Sequence, residues 1–201
     1  MSAPTLFPVE ESNAVPSGLD VAHWNRVFSR YPMTVEDKGW VYGVWYCGTA
    51  WQRVKLYGEY PQGFLARALA LFPRAKDVLH CPSGTVTGPG VTVDMHQDAV
   101  RCPQIVAFAD ALPFEDNSFD LYLSDPPYSR EDSAKYGCPP YPMKGAMREA
   151  RRVLRRGGYF GMLHTYMPTH RRQEFRLVGL IAVVLGVQRA TRMFSIFQVL
   201  K

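Results

Sequence analysis

Phe119-Asp120-Leu121-Tyr122-Leu123-Ser124-Asp125-Pro126-Pro127-Tyr128 is the stretch whose reading decides the fold. Four of its first five residues are apolar or aromatic, the signature of a buried strand. Pro126 and Pro127 then remove two backbone donors and fix φ, so neither sheet nor helix continues. Asp125, lying before a proline, is held in extended geometry. The result is a stiff turn at the carboxyl end of a strand. In an open α/β sheet, ligands bind at that edge. The turn presents one carboxylate, rigid carbonyls and one aromatic ring. An amine on an aromatic ring could be gripped there, with its N–H groups donated to Asp125 and a nearby carbonyl. Tyr128 would stack on the ring. The same residues also read as a Pro-rich turn with a capping Asp.

The preceding chain supplies more strands. Asp77 to Cys81 reads as the first sheet strand, followed by Pro82-Ser83-Gly84-Thr85. Val91 to Met95 begins too soon after Thr85 for a crossover helix to fit between them. Met95 to Cys102 reads as a short helix, and Ile105 to Ala109 as a third strand running to Asp110. Asp94, Asp110 and Asp125 thus close three successive strands, and parallel strands would bring their carboxylates to one edge. Ser129 to Pro142 is polar and rich in Gly, Pro and Tyr, and reads as a mobile loop over the site. Met143 to Leu154 reads as a helix stopped by Gly157-Gly158, with Arg148, Arg151, Arg152, Arg155 and Arg156 at its basic end. Tyr159 to His164 reads as a further strand, and Leu177–Leu185 with Met193–Leu200 as a closing antiparallel hairpin.

Upstream, residues 1–18 carry three prolines and read as a flexible arm. Residues 19–201 read as a single domain, of which 19–73 form an N-terminal helical and aromatic extension packed on the rest. Its parts are a helix from Leu19 to Tyr31 with Asp20 as N-cap, an aromatic segment over 39–51, and a helix from Gln62 to Phe72. The aromatic segment is core or an acceptor platform, with core packing favoured.

The 201 residues suffice for one α/β domain. The net charge of +5, from 23 Lys+Arg against 18 Asp+Glu, is a mild bias towards anionic partners and equally an ordinary solvated surface. Cys47, Cys81, Cys102 and Cys138 form no Cys-x-x-Cys pair, so neither a zinc ribbon nor a disulfide framework is expected. Free thiols suit a reducing, cytoplasmic setting. No signal peptide and no membrane span is read.

This order of pieces resembles the class I S-adenosylmethionine-dependent methyltransferases, and in particular the amino-methyltransferases that carry Asp-Pro-Pro-Tyr, the DNA adenine and cytosine amino-methyltransferase group among them. The resemblance rests on Val78–Thr85, Asp94, Asp110–Phe114, Ser118-Phe119-Asp120, Asp125–Tyr128 and Arg152–Gly158. It implies an α/β, Rossmann-like methyltransferase sheet, mostly parallel with a C-terminal antiparallel hairpin, here with reduced helices between strands. It implies S-adenosyl-L-methionine as cofactor and no metal. The loop His80, Cys81, Pro82, Ser83, Gly84 and Thr85 would back the methionine part. Asp94 would bind the ribose hydroxyls, and Asp110 with Ala111 the adenine. Tyr57 would close over the cofactor. Asp125, Pro126, Pro127 and Tyr128 would hold the target amine. The implied partner is nucleic acid, DNA favoured over RNA, with adenine in DNA as the leading acceptor. Arg130, Lys135, Lys144, Arg171 and Arg172 would meet phosphates. RNA guanine, a protein side-chain amide, a small amine, or a non-catalytic binding module with a degenerate cofactor loop are the alternatives.

Overall fold

A computed structural model describes residues 18–29, 34–48, 59–98, 100–186 and 191–200. Residues 1–17 of the expected arm, Trp51, Tyr57 and positions 30–31 of the expected first helix lie outside the described residues; the helix itself ends at Val27.

Nine strands and four helices follow in chain order: α1 (Val21–Val27), β1 (Thr34–Asp37), β2 (Trp40–Tyr46), α2 (Phe64–Leu71), β3 (Val78–His80), β4 (Val91–Asp94), β5 (Ile105–Val106), β6 (Phe119–Ser124), α3 (Arg130–Lys135), α4 (Met143–Val153), β7 (Leu154–His164), β8 (Phe175–Val184) and β9 (Arg192–Val199). The strands form one sheet in the order β1-β2-β8-β9-β7-β6-β3-β4-β5. From β5 to β7 all neighbours are parallel. That β5-β4-β3-β6-β7 order is the doubly wound arrangement, with its switch point between β3 and β6. β9 inserts antiparallel between β7 and β8, the C-terminal hairpin expected from the sequence. The chain is therefore an α/β protein with a Rossmann-like, mostly parallel sheet that ends in an antiparallel hairpin. No helix connects β3 to β4, β4 to β5 or β5 to β6 among the described residues.

Both faces of the sheet are apolar, as a doubly covered sheet requires. One face packs with α1 and α2 around Trp24, Trp45, Phe64, Leu121, Ile181 and Phe194. The other packs with α4 around Tyr122, Ala150, Phe160, Met162 and Phe197. The aromatic segment divides by strand alternation. Trp45 is buried and stacked on Trp24, with centroids 5.6 Å apart, and donates its indole N–H to Thr34 Oγ1 at 2.9 Å. Tyr42 and Tyr46 face outward. β2 also pairs in parallel with β8, so this part of the extension is built into the main sheet.

Several local expectations change. No helix forms among the described residues of 95–102. Asp98 instead accepts N–H bonds from Val100 and Arg101 with its own side chain, a local turn that competes with a helix. The third strand stops at Val106, leaving Asp110 in the loop beyond it. Gly157-Gly158 does not stop α4. The helix ends at Val153 and the chain passes directly into β7, where Gly157 sits at φ 80° beside a register shift against β6. The segment 129–142 contains α3, capped by Ser129 Oγ accepting from Asp132 N. The arginines of α4 do more than meet a helix end. Arg152 binds Glu149, Asp116 and the carbonyls of Leu112 and Phe114, while Arg155 bridges Asp77 and Asp120.

Candidate functional site

A cavity of about 280 Å³ lies over the carboxyl ends of β3, β4 and β6, roofed by residues 136–142. Parallel pairing puts these strand ends on one edge. The cavity brings together Cys81, Pro82, Ser83, Gly84, Asp94, Asp110, Asp125 and Pro127. It does not bring in His80, Thr85, Ala111, Pro126 or Tyr128. His80 is fully buried and its Nε2 meets the Pro89 carbonyl at 3.1 Å. Ala111 is exposed on the turn after Asp110.

Asp94 closes β4 and is buried. Its Oδ2 accepts the Gly84 N–H at 2.9 Å and its Oδ1 accepts the His96 N–H at 3.0 Å. The carboxylate thereby fixes the 83–86 turn, in which Gly84 takes φ 53°, a region that suits glycine. Each Asp94 oxygen keeps a further acceptor lone pair. Asp110 lies against the start of α4. A Cβ at Gly145 would collide with the Asp110 Cβ, so glycine is what lets helix and acid approach. Arg148 Nη2 donates to the Asp110 carbonyl at 3.3 Å.

Asp125 sits one residue past β6, with its side chain only 12% exposed. Burial raises its carboxyl to about 6, while Arg192 and the Tyr128 hydrogen bond pull it back down. Tyr128 donates its hydroxyl to Asp125 Oδ1. Arg192 Nη1 stands 3.7 Å from Oδ2, beyond direct hydrogen-bond reach. The Arg192 guanidinium covers the Tyr128 ring at 4.9 Å from its centroid. The Tyr128 ring also meets the edge of His164 at 5.0 Å. Tyr128 therefore supports Asp125 from behind and does not offer its ring to the cavity. His164 is buried, and burial lowers its imidazole to about 4, so it is neutral at pH 7.

The cavity also holds groups that the motif did not reveal. Tyr60 and Tyr141 line it, and burial pushes both phenols upward, which keeps them protonated. Tyr141 shares a 3.3 Å hydrogen bond with Ser124. The second Pro-Pro-Tyr, 139–141, was a legible signal for it. Burial raises the Cys81 thiol to about 12, so it is not a thiolate nucleophile. Tyr60 OH, Ser83 Oγ and His96 Nε2 are buried without a hydrogen-bond partner among the described residues. Buried polar atoms of this kind are normally paired. Two carboxylates with spare lone pairs, three orphaned polar atoms, and apolar walls from Met95, Phe108 and Pro139 suit a ligand that mixes hydroxyls, an amine and a flat ring. The residues present thus fit S-adenosyl-L-methionine. No group of three or more metal-ligating side chains exists among the described residues. No described helix is long and apolar enough to cross a membrane.

No protein-family model matches the chain, and no curated protein sequence matches it. Among solved structures, TrmN from Thermus thermophilus is similar at 16% identity and a TM-score of 0.42, covering 62% of this chain and 44% of its own. The PH0226 protein from Pyrococcus horikoshii OT3 is similar at 15% identity and a TM-score of 0.37, covering 63% and 82%. A chain of the complex containing the Haloferax volcanii Trm112 methyltransferase activator is similar at 19% identity and a TM-score of 0.31, covering 51% of each. The match spans less than half of the Thermus chain. Likenesses this weak carry no argument about chemistry, and the fold is read from the chain's own strand order.

Proposed function

We propose that this protein is an S-adenosylmethionine-dependent methyltransferase that modifies an exocyclic amine of a nucleic-acid base. The observation that carries the reading is one cavity lined by Asp94, Asp110 and Asp125 at the carboxyl edge of a doubly wound sheet. When bound, S-adenosyl-L-methionine supplies a methyl group already activated on a sulfonium, so the chain itself needs no nucleophile of its own.

The chain's residues then have separable tasks. Asp94 offers its remaining lone pairs to hydroxyls, and Asp110 offers a carboxylate to an amine. The 83–86 turn and Tyr60 wall the cavity between them. Asp125 accepts an N–H of the acceptor at Oδ2 and holds the nitrogen in line for attack. Oδ1 stays with Tyr128, which fixes the plane of the carboxylate. The roof 136–142 excludes water from the cavity. Base in DNA or base in RNA remains the finer choice. Adenine in DNA is the acceptor that the Asp-Pro-Pro-Tyr resemblance favours, and nothing in the cavity lining selects deoxyribose.

Two measurements test this. Titration calorimetry with S-adenosylhomocysteine should give saturable binding, weakened about tenfold by Asp94→Ala through the loss of one charge-assisted contact. Incubation with methyl-labelled cofactor and separate DNA, RNA and protein pools should label nucleic acid. Absence of binding, or label in protein alone, contradicts the proposal.

A further inference from the structure

Tyr60 enters the cavity from one face of the sheet and Tyr141 from the other. Tyr60 packs with the α1 and α2 cluster, its ring centroid 5.3 Å from that of Phe64 and 6.3 Å from that of His80 at the end of β3. Tyr141 packs with the α4 cluster and shares its hydrogen bond with Ser124, the last residue of β6. β3 and β6 are paired neighbours, with His80 beside Leu123. The pairing continues to Cys81, whose N–H meets the Leu123 carbonyl at 3.2 Å, two residues before Asp125. Tyr60, Cys81, Asp125 and Tyr141 all line the one cavity, at the switch point of the sheet.

The Tyr60 hydroxyl is buried without a hydrogen-bond partner among the described residues. Buried hydroxyls are normally paired, so this one is placed for a ligand. Burial, and after it the charge of Asp125 and the nearness of Cys81 and Tyr141, push the phenol upward. It is therefore neutral, and its oxygen offers lone pairs without setting a second negative charge beside Asp125. Asp125 supplies the other oxygen. Tyr128 takes its Oδ1, and Arg192 stands 3.7 Å from its Oδ2, too far for a hydrogen bond. Neither Tyr128 nor Arg192 lines the cavity, so both hold the carboxylate from outside it. The arginine that does line it, Arg101, is paired with Asp98 at 2.7 Å. Two oxygens at the switch point thus suit a group that carries positively polarised hydrogens.

We infer that Tyr60 is a catalytic residue: its hydroxyl oxygen and Asp125 Oδ2 form a pair that contacts the group lying between cofactor and acceptor. Asp125 takes one N–H of an acceptor amine and Tyr60 the other, which leaves the nitrogen lone pair turned away from both. The purpose of the pair rests on the proposed methyl transfer, but its preference for a cationic or N–H-bearing group is read by binding alone.

The probe is sinefungin, in which a carbon bearing an ammonium group replaces the sulfur of S-adenosylhomocysteine. Titration calorimetry with both molecules compares the full-length wild type with Tyr60→Phe, which keeps the ring against Phe64 and His80 and removes only the hydroxyl. Wild type should bind sinefungin more than about tenfold tighter than S-adenosylhomocysteine, on the scale of a charge-assisted hydrogen bond. Tyr60→Phe should lower that preference about tenfold. It should bind S-adenosylhomocysteine as before, which shows the fold intact. A wild type without the preference, or a preference unchanged in Tyr60→Phe, overturns the assignment. Equal weakening of both ligands also overturns it, since the hydroxyl would then meet a part that they share. Wild type that binds neither ligand overturns the methyltransferase reading and the assignment together. If Tyr60→Phe loses the preference while wild type methylates no nucleic acid, the assignment stands and the acceptor reading alone fails.

Discussion

Asp125 is held by two opposed influences. Burial favours its protonated form, while Arg192 and the Tyr128 hydroxyl favour the carboxylate, and the balance is about 6. In the proposed reaction the ionised form accepts the acceptor's N–H, and a protonated oxygen would donate instead. Because the carboxyl is raised above its ordinary value, its ionised form is complete only above about pH 7. The kcat/KM for methyl transfer should therefore fall about tenfold per pH unit below pH 6 and level off above it. Arg192→Gln removes a lowering influence and should move this acid limb to higher pH. A pH–rate profile of both proteins checks the shift. An unmoved limb would show that the limb does not belong to Asp125. His164 does not supply it, since burial keeps that ring neutral well below pH 6. The sequence made Asp125 legible through the two prolines after it. Arg192 was not legible, because the antiparallel return of β9 brings it 67 positions along the chain to the same edge. Tyr128 was read as a ring that stacks in the site, but it lies outside the cavity lining because its ring packs against Arg192 and His164, which no local pattern announces.

At the scale of elements, α4 and the loop 110–116 act as one unit. Glu149 is buried and accepts the Leu112 N–H at 2.9 Å. Arg152 binds Glu149 through two nitrogens and reaches the carbonyls of Leu112 and Phe114. These bonds hold the loop that follows Asp110 and so set where that carboxylate enters the cavity. Arg152→Ala leaves the buried Glu149 carboxylate without its counter-charge and two carbonyls without their donor, and should cost about 2–3 kcal/mol. Arg155, which is more exposed, bridges Asp77 and Asp120 at the surface. Arg155→Ala should cost about 1 kcal/mol or less. Urea denaturation midpoints of the two variants test the ranking, and equal losses would contradict it. The arginine run was visible in the sequence as a helix end. Apart from Glu149, its partners lie more than 20 positions away, so their identity was settled by tertiary packing. For the same reason Gly157-Gly158 read as a helix stop, although the chain needs glycine at 157 for the irregularity inside β7, where φ is positive.

The molecule as a whole places two concavities on one sheet edge. The cavity lies over β3, β4 and β6, and a groove runs over β2, β8 and β9. Asp125 lines the cavity, and Arg192, 3.7 Å from its carboxylate, lines the groove. The parallel core and the closing hairpin followed from strand spacing and chain order. The fusion of β1 and β2 to the sheet did not, because β2 pairs with β8 across most of the chain. The most direct test of the account is nucleoside analysis by mass spectrometry after reaction of nucleic acid with labelled S-adenosylmethionine. Wild-type protein should yield a base methylated on its exocyclic amine. Asp125→Ala should reduce that product at least about a thousandfold, on the scale of losing a group that acts only in the reacting complex, while still binding S-adenosylhomocysteine. No methylated base from the wild type, or full activity in Asp125→Ala, would contradict the account.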